Sequence, residues 1–121
     1  MPHSPSRLTA TAARAQIADG VLTARRLVDS CLERIEHLDH EVRAFVHVDA
    51  AGARKAADAV DAGRRRGGLA GVPFAAKDII DTHDMPTRYG SPIYRNAQPA
   101  ADASCVALAR AVGGVLVGKT V

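Results

Sequence analysis

The strongest pattern in the chain is a helical one: Leu27, Val28, Cys31, Leu32, Ile35 and Leu38 recur every three or four residues, with Arg25, Arg26, Glu33, Arg34 and Glu36 between them. That spacing places an apolar stripe on one face of a helix and charge on the other, and Thr23 stands where an N-cap side chain would be. A shorter helix precedes it from Leu8 to Asp19, with Gly20 as its stop. After it, Phe45-Val46-His47-Val48 reads as a short strand within Ala44 to Val48, and Asp49 caps a third, alanine-rich helix reaching about Ala62.

From Gly67 the periodicity shortens. Val72 to Ala76 predicts a buried strand, with Pro73 near its start where a missing amide donor is tolerable. Asp102 is the predicted cap of a helix from Ala103 to Val112, with Val106, Leu108, Ala109 and Val112 available for packing. Gly113 and Gly114 end that helix, and Val115 to Val117 forms another strand. Strand, helix and strand in that order predict a βαβ unit. The expected fold class is therefore α/β, with one domain over 1–121: 1–66 mainly helical, and 67–121 a strand, loop, helix and strand.

Composition narrows the picture further. The chain has 121 residues, enough for one small core, and 47% hydrophobic and 24% charged residues, as in an ordinary globular protein. Aromatics are only 3%, so the core rests on small and aliphatic side chains, and support from a neighbour is expected. The net charge of +3 includes one dense basic run, Arg64 to Arg66, between Gly63 and Gly67. With no aromatic beside it to stack a base, the run reads as a solvated loop and nucleic acid is disfavoured as a partner. Cys31 and Cys105 form no C-x-x-C pair and fit a reducing, cytoplasmic setting. Met1 to Ser6 has no export-signal pattern and no run of 18 apolar residues occurs, so no membrane association is expected.

Chemistry centres on Gly71-Val72-Pro73-Phe74-Ala75-Ala76-Lys77-Asp78, which ends an apolar strand on a lysine. A buried ammonium there needs a partner such as Asp78 or Asp81, or a pKa low enough to make the amine a base. The other reading is a stem lying on apolar surface with its charge in water. Asp84 reads equally as a solvated loop acid. His37 and His40 are three apart and could hold a metal, but mark a helix end more simply, while His47 and His83 stand alone, without a partner at ligand spacing. No metal or cofactor is expected. Gly113 to Thr120 satisfies the phosphate-loop pattern G-x-x-x-x-G-K-[ST], yet its interior is Val-Leu-Val and a helix precedes it, which argues against nucleotide binding.

Taken as ordered blocks, GVPFAAKD, Pro86-Thr87, Gly90-Ser91, Asp102-Ala103 and Gly118-Lys119-Thr120 resemble the opening of the amidase-signature fold, and Cys31 to Ile35 and Arg43 to Val46 resemble that family's leading segment. The resemblance runs from about Leu22 and implies the first strands of an incomplete mixed sheet. It also implies amide C–N hydrolysis in which Lys77 is the catalytic lysine. That lysine deprotonates a serine held in a cis peptide, which activates a nucleophilic serine in a Gly/Ser-rich segment. After Lys77 the chain offers only Ser91 and Ser104, neither in such a segment, and Ser91 is followed by Pro92 as in a simple turn. The expectation is a chain that supplies the lysine and is inactive alone, its parent acting on a small-molecule amide. The alternative is a non-catalytic module, or half of a split amidase or amidotransferase, that self-associates or pairs with a carboxy-terminal half. Lys119 is either structural or close to the active-site region.

Overall fold

A computed structural model describes residues 4–121; part of Met1 to Ser6, the stretch without an export-signal pattern, lies outside them. Helix α1 spans Ala10–Ala18, two residues later than the apolar pattern suggests, because Pro5–Arg7 forms a separate 3-10 turn and Thr9 becomes the N-cap through its side chain and the Ala12 amide. Helix α2 spans Ala24–Val42 and starts on Thr23, whose side chain accepts from the Arg26 amide. A second cap comes from far along the chain: the Asp61 carboxylate accepts from the amides of Ala24 and Arg25 at 2.8 and 3.0 Å. Strand β1, Phe45–Val48, leads into helix α3, Ala50–Asp61, with Asp49 accepting from the Gly52 amide as its cap.

Strand β2 covers Pro73–Lys77, helix α4 Ser104–Ala111, and strand β3 Val115–Thr120. The sheet order is β1-β3-β2, with β2 parallel and β1 antiparallel to β3. The α/β class, the mixed sheet and the βαβ unit follow the sequence reading. Val115 to Val117 lies in the central strand of this sheet, whereas β2 has a partner on one side only. Strand β3 is also longer than its apolar run, since it continues through Gly118, Lys119 and Thr120.

Two apolar layers cover the two sheet faces. Ala24, Val28 and Leu32 of α2 and Ala53 and Ala57 of α3 pack on Val115 and Val117. The alanines let the helices sit close to the sheet, and each of Val28 and Leu32 contributes about 1.5–3 kcal/mol by leaving water. On the other face Ala76 and Leu116 meet Met85 and Val106. Of the α4 positions named for packing, Val106 is buried but Leu108 is 68% and Val112 39% exposed, because α4 meets the sheet along one narrow line. No helix among the described residues is long and apolar enough to cross a membrane.

Candidate active site

Lys77 is the last residue of β2, as the strand pattern required, but its side chain is exposed. Among the described residues its amine makes no hydrogen bond or ion pair. Of the two readings of this lysine, the buried ammonium is corrected and the exposed charge is what the structure shows. Side chains alternate along a strand, and Ala76 takes the buried position on the Met85 side, which turns Lys77 to the opposite face beside Thr120. Asp78 and Asp81, considered as its partners, are engaged elsewhere.

The lysine that is buried is Lys119, fully removed from solvent. Its position depends on a one-residue irregularity. Phe74 lies opposite Leu116 and Ala75 opposite Gly118, so Val117 has no partner on β2. Strict alternation from Val115 and Val117 would send Lys119 into the apolar layer of α2 and α3. The extra residue returns it to the face of its partner Ala76. There the ammonium donates to Thr87 Oγ1 at 2.8 Å, Thr82 Oγ1 at 3.3 Å and the Pro86 carbonyl at 3.4 Å, with Asp78 Oδ1 3.7 Å away. Three donors meet three acceptors, with a carboxylate behind them. Burial lowers the Lys119 pKa, and the nearby carboxylates of Asp78, Asp81 and Asp84 work against that shift.

Asp78 joins this cage to the end of β2. Its amide donates to the Thr120 carbonyl at 2.8 Å, its carboxylate accepts from the Arg88 amide at 3.2 Å, and its carbonyl accepts from the Tyr89 amide at 2.9 Å. Tyr89, at φ 54°, in turn donates its hydroxyl to Asp81, and that bond raises the phenol pKa. Residues 78 to 89 thus form a loop whose two ends are tied to each other and to β3. A cleft of about 380 Å³ opens beside it, lined by Val46, Asp78, Arg88, Ser91 and Arg95 among others. Ser91 starts the 3-10 turn Pro92–Tyr94 and its amide donates to the Arg88 carbonyl, as the X-Pro reading anticipated.

His83 is not solitary. Its amide and its Nδ1 both lie 2.9 Å from Asp102 Oδ1, which is why Asp102 does not cap α4; Ala103 holds that position without a side-chain bond. Arg110 bridges the group, 2.8 Å from Asp84 and 3.4 Å from Asp102. Asp84 is therefore an ion-pair partner rather than a free loop acid. His83, Asp84 and Asp102 offer ligand atoms within 4.8 Å of one another, but the cation that the two carboxylates face is the Arg110 guanidinium. Burial pushes the Asp102 pKa up, and the bonds from His83 together with Arg110 outweigh it and hold the carboxyl below its usual range. His37 bonds the Glu33 carbonyl within its own helix and His40 sits beside Glu41. Arg64 to Arg66 are exposed.

The family model described as Amidase matches residues 26–121. The chain belongs to the Amidase family. Among amidase relatives, a protein of Streptomyces coelicolor that forms part of the glutamyl-tRNA(Gln) amidotransferase is 45% identical over 118 residues, covering 94% of this chain and 24% of that protein. Its namesake from Acidothermus cellulolyticus is also 45% identical, with 94% and 23% covered. Of solved amidase structures, the native peptide amidase of Stenotrophomonas maltophilia superposes with a TM-score of 0.89 at 32% identity, over 98% of this chain and 26% of that one. A bacterial aryl acylamidase of the amidase signature enzymes gives 0.86 at 25% identity, over 93% and 25%. The chain spans about a quarter of the length of the relatives it matches.

Proposed function

We propose that this chain supplies the lysine base of an amide-hydrolysing domain, and that Lys77 is that base. The observation that carries the reading is the placement of Lys77: it closes the parallel strand β2, its amine is free of any partner among the described residues, and the segment after it is tied down at both ends. A general base must reach a hydroxyl without first breaking an ion pair. In the mechanism implied by the amidase-signature resemblance, that hydroxyl belongs to a serine which activates a second, nucleophilic serine, and the attacked carboxamide loses ammonia or an amine. The substrate class is a small carboxamide, and the setting is cytoplasmic, a reading supported by two free thiols.

The test is a graft. At 45% identity over 118 residues, the chain can replace the matching segment of the Streptomyces coelicolor relative, and ammonia release from glutamine and simple carboxamides is then measured. Lys77→Ala in the graft lowers turnover by about 10²–10⁴-fold, the usual worth of a positioned base. Undiminished turnover in that variant overturns the assignment. The 121-residue chain alone is expected to release no ammonia, and turnover by it that Lys77→Ala abolishes would also overturn the reading of its role.

A second reading, a module that pairs with another chain, is supported by the free edge of β2 and by the exposed apolar side chains Ile79 and Leu108, 57% and 68% accessible. Light scattering decides it: association that grows with concentration favours pairing, and a monomer at every concentration counts against it.

A further inference from the structure

We infer that Lys119 is a positioning residue for Lys77: its ammonium locks residues 78 to 89 onto β3 and thereby holds the end of β2 in one place. The inference rests on the reading of Lys77 as the base, but its geometry stands without it. Lys119 reaches the loop at Thr82 and at the adjoining Pro86 and Thr87, and faces the carboxylate of Asp78, the residue next to Lys77. Asp78 is itself fixed at three points, to Thr120, Arg88 and Tyr89. One buried cation therefore organises both ends of a loop that contains no regular hydrogen-bonded element of its own.

The arrangement also separates two jobs. Lys77 and Lys119 lie on neighbouring strands, paired with Thr120 and Ala76 respectively, and project to opposite faces of the sheet. The buried amine is saturated by acceptors and cannot take a proton from a substrate-side hydroxyl without losing them. The exposed amine has none to lose. A hydrocarbon side chain at 119 would fill the space but leave the buried Thr82 and Thr87 oxygens without their ammonium donor and the buried Asp78 carboxylate with the Arg88 amide alone, and the loop would relax to hydrate them.

The test uses the 121-residue chain itself, isotope-labelled, with amide hydrogen exchange and the Lys77 side-chain Cε and Nζ resonances as readouts. In Lys119→Met, exchange at the Arg88 and Tyr89 amides is expected to speed by about tenfold or more relative to amides of α2, and the Lys77 resonances move. Thr87→Val, nearly isosteric, removes only the shortest of the three bonds and produces the same local pattern at a smaller size; it decides the matter should Lys119→Met fail to fold. Exchange that speeds equally in α2, β1 and the loop would make Lys119 a mere packing element, and unmoved Lys77 resonances would sever the link to position 77. Either result overturns the inference. Because neither readout involves turnover, failure here is distinct from failure of the graft.

Discussion

Lys119 Nζ lies 2.8 Å from Thr87 Oγ1 in an environment closed to solvent. Breaking a buried charged cluster by deleting one member leaves the rest desolvated, which costs more than the intact cluster contributes. Because the loop can relax to hydrate the groups left behind, Lys119→Met should destabilise the chain by less than the roughly 3–5 kcal/mol that breaking a rigid buried cluster costs, read from the urea midpoint.

Lys77 gives the opposite outcome. It is exposed and without a partner among the described residues, so Lys77→Ala should change stability by no more than about 0.5 kcal/mol. A melt that falls together with that of Lys119→Met would show that the two lysines share a structural task.

The carboxylate of Asp102 predicts acid behaviour. Its pKa is lowered in the folded chain, so the stabilisation is fully present above the ordinary aspartate value of about 3.9 and is lost as pH falls through the lowered folded value. Asp102→Asn, which leaves the amide unable to change charge, should flatten stability against pH below about 4, followed by circular dichroism at a fixed urea concentration.

Asp61 ties the end of α3 to the start of α2. Asp61→Ala should cost about 1–2 kcal/mol, as losing an N-cap does, with faster amide exchange confined to the first turn of α2. Unchanged exchange at Ala24 and Arg25 would mean that Thr23 caps the helix unaided.

Gly118 of β3 lies against β1: a Cβ there would clash with the His47 carbonyl oxygen. At Gly20, with φ +74°, a Cβ would meet nothing within 4 Å, leaving only the backbone strain of about 1–2 kcal/mol. Gly118→Ala should be clearly the more damaging in thermal melts, since the contact is with backbone that cannot rotate away.

Hydrophobic period, capping side chains and glycine stops are local properties, and they were enough to place α2, β1, α3 and the β2–α4–β3 unit, because helix and strand each repeat on a scale of a few residues. The ordered blocks around Lys77 likewise carried the family. What tertiary structure decided was which charged groups lie inside. An unpaired Val117 turned Lys119 into a polar cage and left Lys77 outside, and a distant Asp102 was drawn from its helix to His83. Burial and pairing depend on groups tens of residues apart, so no local period carries them.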